Sequence, residues 1–264
     1  MRFSQWRTAD SWIGKGLILG RAVSQVSWFV MRQPSRASLR LARRMLRIMP
    51  GHTMVAPARL VNLHRAVEVV EREGLPGDLV ECGSWNGGSA AILGAACERP
   101  RTVWVFDSFE GLPAPDARDG ATAQQRFFPG WCKGDPARVR AAFRKLGVPE
   151  ARLRIVPGWF QDTLPGAAVG PIAVLHVDAD WYESVRCVLH AFYDRVVPGG
   201  VIVMDDYVKW EGCRRALHEF FEARGLHGIP LHPVDGWAVY FRKPQAPASA
   251  PPINGSRQEM ATHE

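Results

Sequence analysis

The chain has 264 residues, of which 47% are hydrophobic and 22% charged, with a formal net charge of +7; this fits one large α/β domain with extensions and a sizeable core. Residues 1–50 hold ten Arg or Lys and one acid, Asp10, leaving 23 bases against 25 acids in the remainder. The basic excess therefore belongs to the N-terminal extension, and a nucleic-acid-binding body loses its chief support.

Between Trp12 and Met31 the chain is fairly apolar, but Lys15 and Arg21 interrupt it, so it holds no uncharged run of the ~20 residues a membrane span needs. From Ser35 to Met49, Arg36, Arg40, Arg43 and Arg47 fall on one side of a helical wheel and Leu41, Met45 and Ile48 on the other, which predicts a basic amphipathic helix. Packing of its apolar face on the domain is favoured over membrane-surface docking, a lid or an oligomer contact. A second helix is predicted over 58–73, with Leu60, Leu63, Val67 and Val70 at helical spacing, ended by Gly74 to Gly77.

Leu79 to Gly83 reads as a first buried strand, followed by the Gly-rich turn from Ser84 to Ser89 and a small-residue helix over 90–98. Thr102 to Phe106 is a second strand ending on Asp107; strand, Gly-rich turn, helix, strand, acid is the first half of a doubly wound nucleotide-binding sheet. Residues 108–134 read as a long loop around Phe127, Phe128 and Trp131, expected to act as a substrate lid. Asp135 and Pro136 start a helix running to Leu146. Further strands are predicted at 153–156, 172–177 and 201–204, with a helix through Val185, Val188, Leu189 and Phe192 between the last two. A final helix from Trp210 to Arg224 precedes a hairpin of 231–234 and 237–241 about Asp235-Gly236.

The expected architecture is thus a Rossmann-like α/β sheet of seven strands, mostly parallel, with a C-terminal antiparallel hairpin. It divides as a basic extension over 1–50, a catalytic domain over 51–243, and a Pro/Ala/Ser-rich tail over 244–264 expected to be disordered. Five cysteines (Cys82, Cys97, Cys132, Cys187 and Cys213) form an odd set with no C-x-x-C pair, which argues against a disulfide framework or zinc knuckle and fits a reducing cytoplasm.

Two strands end on carboxylates: the run from Ile172 stops at Asp178 and Asp180, the run from Gly200 at Asp205 and Asp206. In neighbouring parallel strands all four acids would reach one sheet edge, which points to a bound cation, a cationic ligand, or both. Asp178, Asp205 and Asp206 offer only hard oxygen ligands, which suit Mg²⁺ rather than Zn²⁺. His176 shares a face with Asp178, and a satisfied core histidine is favoured over a ligand role. Asp180 is left to take the proton of an alcohol acceptor as general base. In the first half of the sheet, Glu81 stands where a pyrophosphate would be repelled, which favours a phosphate-free, positively charged cofactor. S-adenosylmethionine fits, with its ammonium near Glu81, its carboxylate on helix-start amides and its ribose on Asp107.

Taken together, Gly77-Asp-Leu-Val-Glu-Cys-Gly83, Phe106-Asp-Ser-Phe-Glu-Gly-Leu-Pro113, Val177-Asp-Ala-Asp-Trp-Tyr-Glu-Ser184, Pro198-Gly-Gly-Val-Ile-Val-Met-Asp-Asp-Tyr207 and Trp210-Glu-Gly-Cys-Arg-Arg-Ala216 resemble the macrocin and mycinamicin O-methyltransferase family, which also includes the novobiocin sugar methyltransferase. The resemblance spans about residues 53–243. It implies a class I methyltransferase that uses S-adenosylmethionine and Mg²⁺ to methylate a hydroxyl, typically on a deoxysugar of a secondary metabolite. It implies Asp178, Asp205 and Asp206 as metal ligands and Asp180 as base, with Glu81, Gly83, Ser89, Asp107 and Ser108 around the cofactor and Asp162 near the adenine. The basic first fifty residues and the tail depart from the pattern, which leaves acceptor and assembly, including a homo-oligomer, open. Two other readings stand beside this one: a catechol-type O-methyltransferase acting on vicinal phenolic hydroxyls, and a non-catalytic scaffold docked through the basic helix.

Overall fold

The structure, a computed structural model, describes residues 20, 23–27, 30–32, 34–49 and 51–245; most of the expected basic extension before residue 34, and the expected tail beyond residue 245, lie outside the described residues. The basic helix forms as α1 (Arg36–Ile48), capped by Ser35, whose side chain accepts from the Ser38 amide at 3.0 Å. Leu41, Met45 and Ile48 are buried in one core with Leu60, Leu63 and Ile92, while Arg36, Arg40, Arg43 and Arg47 face outward. The apolar stripe that predicted the helix is thus the face that packs. Among the described residues no helix is long and apolar enough to cross a membrane.

After α2 (Pro57–Arg72) come β1 (Asp78–Cys82), α3 (Gly88–Ala96) and β2 (Val103–Asp107), then α4 (Gly120–Arg126), α5 (Pro136–Leu146), β3 (Leu153–Pro157) and the short α6 (Phe160–Thr163). The second half holds β4 (Ile172–Val177), α7 (Tyr182–Phe192), β5 (Val196–Met204), α8 (Glu211–Ala223), β6 (His232–Pro233) and β7 (Val239–Arg242). The seven strands run in the order β3-β2-β1-β4-β5-β7-β6, parallel except that β7 lies antiparallel to both β5 and β6. Leu79, Val103, Val174 and Val203 point to the core shared with α1, α2, α3 and α5, whereas Val80, Phe106, Leu175 and Met204 point to a second core under α7 and α8. Burial on both faces explains why these strands read as near-continuous apolar runs. The order reverses between β1 and β4, so the crevice outside their C-terminal ends is the place for a ligand.

Three elements differ from expectation. The stretch over 108–134 is not one loop: a 3-10 turn at Ala117–Asp119, closed by a capping box with Asp116, leads into α4. Its Gly and Pro content masked a seven-residue helix too short to show periodicity. β5 starts at Val196, passing through Pro198 to Gly200 with a register shift against β4. The hairpin is shorter than expected, with two residues in β6, and Asp235 closes it by accepting from the amides of Trp237 and Ala238.

Candidate active site

The ends of β1 and β4 meet closely at Gly83, where φ is +86° and an added Cβ would lie 1.8 Å from the Asp178 carbonyl oxygen. Only glycine allows that approach. The turn beyond it is organised by Asp107 from β2. One carboxylate oxygen accepts from the amides of Ser84 (2.7 Å) and Trp85 (2.8 Å), the other from Phe109 (2.7 Å). Burial raises the Asp107 carboxyl, against these three hydrogen bonds.

A cavity of about 500 Å³ opens at this edge, its walls including Gly83, Asp107, Ser108, Phe160, Asp178 and Asp180. The expected lid contributes a wall too, through Leu112, Pro113 and Asp116. Two bonds latch that segment to the start of α7: Trp181 Nε1 donates to the Pro113 carbonyl at 2.9 Å, and the Tyr182 amide to Asp119 Oδ1 at 2.6 Å. Trp85, Cys132 and Asp180, three of the four non-glycine residues with positive φ among the described residues, line the same cavity. Backbone in this region costs about 1–2 kcal/mol per residue and concentrates at functional sites.

The structure brings four carboxylates together beside it. One oxygen each of Asp178, Asp180 and Asp206 lie within 4.8 Å of one another, and donor atoms of His176, Asp178 and Asp205 do the same. Asp180 therefore stands in the cluster with Asp178 and Asp206 rather than apart from it. Its Oδ1 accepts from Trp210 Nε1 at 2.9 Å. Burial and mutual repulsion push the Asp178 and Asp180 carboxyls well above the usual carboxylate range, and burial together with Asp205 raises Asp206 to about 7. Burial would raise Asp205 as well, but Arg59 and His176 bring it below its ordinary value.

His176 is fully buried between two acids: its Nδ1 lies 2.8 Å from Glu81 Oε1 and its Nε2 3.5 Å from Asp205 Oδ1. Burial disfavours its charge, yet these partners raise its pKa to about 9. A doubly protonated imidazole has no lone pair for a metal, which agrees with the core-histidine reading. Glu81 is consequently held inside the sheet and away from the cavity wall. Ser89 is buried at the start of α3, outside that wall, and Asp162 is exposed on α6, where Trp159, Phe160 and Gln161 face the cavity instead.

The donor set fits a hard divalent ion. Asp205 Oδ1 and Asp206 Oδ2 are buried oxygens with no hydrogen-bond partner, on residues 2% and 3% exposed; such oxygens are costly unless a cation or water meets them. Three side chains that shape the candidate site were missed from sequence. Arg59 pairs with Asp205; it lies one turn before Leu63 on the buried face of α2, and a charge in that stripe was the available signal. Trp210 and Asp119 are the others, and their roles depend on contacts distant in sequence.

A sequence profile of the Macrocin-O-methyltransferase (TylF) family matches residues 26–243. The chain is 42% identical over 207 residues to the 8-demethyl-8-(2,3-dimethoxy-alpha-L-rhamnosyl)-tetracenomycin-C 4'-O-methyltransferase of Streptomyces olivaceus, covering 75% of this chain and 78% of that protein. It is 37% identical over 204 residues to the mycinamicin III 3''-O-methyltransferase of Micromonospora griseorubida, covering 73% and 79%. The solved structure of the O-methyltransferase NovP superposes with a TM-score of 0.69 at 32% identity, over 88% of this chain and all of that one. With the class I methyltransferase fold, the acid-tipped strands and these matches agreeing, the chain belongs to the macrocin O-methyltransferase family and is an O-methyltransferase.

Proposed function

We propose that the protein transfers a methyl group from S-adenosylmethionine to a sugar hydroxyl of a glycosylated secondary metabolite, with Mg²⁺ at the carboxylate cluster. The observation that carries this is the meeting of four carboxylates, two with unpartnered buried oxygens, beside a cavity built on Gly83 and Asp107. The relatives named above, which act on a rhamnosyl-tetracenomycin and on mycinamicin III, support the acceptor class.

In this reading Gly83, Asp107 and Ser108 hold the cofactor. Asp107 Oδ1, which accepts only from the Phe109 amide, keeps a lone pair for a ribose hydroxyl, whereas Oδ2 is filled by the Ser84 and Trp85 amides. Glu81 acts from behind the wall, fixing His176 and through it Asp205. Ser89 shapes the helix start, and Phe160 and Gln161 take the adenine side in place of Asp162. Asp178, Asp205 and Asp206 would hold the ion, which supplies Lewis-acid lowering of the acceptor hydroxyl's pKa. Asp180 accepts the hydroxyl proton while Trp210 fixes its other oxygen, and the lid latched by Asp119 and Trp181 excludes water.

The test is labelled-methyl transfer to a panel of deoxysugar-bearing and vicinal-phenol acceptors, with and without EDTA. Transfer to the glycosides that chelation abolishes is expected. Transfer insensitive to chelator, or confined to phenols, would sink the reading.

A further inference from the structure

Among the described residues, the four carboxylates face one fixed side-chain cation from outside their own strands, Arg59. Arg59, on the first turn of α2, is 7% exposed and pairs through Nη1 with Oδ2 of Asp205. Its Nε lies 3.3 Å from Oδ2 of Asp235 at the hairpin tip, and its guanidinium sits 5.3 Å from the Trp237 ring centroid. One side chain therefore ties α2, the end of β5 and the β6–β7 turn to the same charge cluster.

That arrangement divides the two oxygens of Asp205. Oδ2 is committed to Arg59, while Oδ1 is buried without a hydrogen-bond partner. The single Nη1 contact takes up Oδ2, while Oδ1 lies 3.5 Å from His176 Nε2 without a hydrogen bond, so one oxygen of Asp205 is committed before any ion arrives and the other is left for it. The guanidinium also carries a positive charge next to the place a divalent ion would take. Four carboxylates against Arg59, with the charged His176 offset by Glu81, leave a deficit of three charges. A divalent ion and the cofactor's sulfonium would close it, whereas the same cluster without Arg59 would hold the ion against a larger negative field.

We infer that Arg59 is a built-in counter-cation for the metal site: a positioning residue that occupies one oxygen of Asp205, keeps the acid cluster foldable in the absence of an ion, and holds divalent affinity down so that the ion stays exchangeable. This rests on the divalent-ion reading of the carboxylate cluster given above. Asp235 has the complementary part. By sharing the guanidinium it draws positive charge away from Asp205, so the two residues should shift ion affinity in opposite directions.

Mn²⁺ binding to the full-length protein, followed by electron paramagnetic resonance and calorimetry without acceptor, tests this independently of turnover. Arg59→Met is expected to tighten Mn²⁺ binding at least about tenfold, the effect of removing one positive charge about 6 Å from a doubly charged ion under water-like screening. Arg59→Lys, which keeps the charge, should stay near wild type. Asp235→Asn should loosen binding about twofold or more. A folded Arg59→Met protein that binds Mn²⁺ as weakly as wild type, or more weakly, overturns the inference. If Arg59→Met does not fold, an unchanged Mn²⁺ affinity in Asp235→Asn overturns it instead. Wild-type protein that takes no Mn²⁺ removes the divalent-ion reading itself, and the inference with it.

Discussion

The indole N–H of Trp210 donates to Oδ1 of Asp180 at 2.9 Å, fixing the carboxylate proposed to take the acceptor proton. Trp210 can do this because it is 2% exposed and wedged edge-on against Trp181 and Trp131, with ring centroids 5.0 and 6.2 Å away. Trp210→Phe keeps most of the ring and deletes only the donor. Losing a hydrogen bond to a charged group corresponds to roughly a tenfold to hundredfold fall in kcat. Cofactor affinity, measured by calorimetry with S-adenosylhomocysteine, should stay within about threefold of wild type. A variant with normal kcat and weakened cofactor binding would show that Trp210 serves the cofactor pocket rather than Asp180.

Asp180 itself should carry the largest effect. Asp180→Asn removes the acceptor lone pair for a proton while leaving the Trp210 bond available through its amide oxygen. General-base loss is expected to lower kcat by roughly 10²- to 10⁴-fold on an alcohol. On a vicinal phenol, whose hydroxyl is far more acidic, the loss should be much smaller. Comparing both acceptor classes with one variant separates base catalysis from general damage to the cluster, since damage would depress both alike.

The sheet and the acids were legible because both are local. Burial on two faces writes a run from Ile172 to Val177 that is apolar except at His176, and the strand's end writes Asp178 beside it. The cluster's internal division was not. Sequence spacing treats Asp180 as a spare carboxylate, whereas the left-handed backbone at Asp180 (φ +52°) turns it into the group with Asp178 and Asp206. Glu81 reads from sequence as a cofactor-facing acid because it would repel a pyrophosphate; its register opposite His176 pairs one oxygen with that ring inside the sheet, while Oε2 is buried without a hydrogen-bond partner. Arg59 is 146 residues from the Asp205 it pairs with, and no local pattern encodes that contact.

Asp107 holds the glycine turn as well as lining the cavity, so its substitution should register twice. Asp107→Ala leaves the amides of Ser84, Trp85 and Phe109 without their acceptors. Partial rehydration from the cavity limits the cost to about 2–3 kcal/mol, or roughly 5–10 °C in Tm. Cofactor affinity should fall at least about tenfold in the same protein. Asp107→Asn, which keeps one oxygen acceptor, should recover part of the Tm but little of the binding. Equal recovery of both would mean that Asp107 touches no cofactor hydroxyl and acts through the turn alone.

With divalent ions removed by chelator, stability should fall between pH 5 and 9, most clearly above about 6.5. The direction follows from which state holds more protons. Asp206 titrates near 7 in the folded protein against an ordinary 3.8, so the stability it contributes below 3.8 is lost as pH rises through 7. His176 titrates near 9 against 6.5, and its contribution is complete below 6.5 and lost through 9. Asp178 and Asp180 are raised as well and act with the same sign as Asp206. Asp205 is shifted the other way, but its window lies below its ordinary value of 3.8 and outside this range; His52 and His64 are lowered by burial and oppose the decline only below their ordinary 6.5. The summed effect should lower Tm by at least about 5 °C between pH 5 and 9. Because an ion competes with protons for the same oxygens, Mg²⁺ should raise Tm little at pH 5 and most at pH 8 to 9. Differential scanning calorimetry across that range, with EDTA and with excess Mg²⁺, measures both curves. A flat or rising Tm in EDTA would show that the four carboxylates do not repel one another as their positions require, and an equal Mg²⁺ effect at pH 5 and pH 9 would place the ion elsewhere.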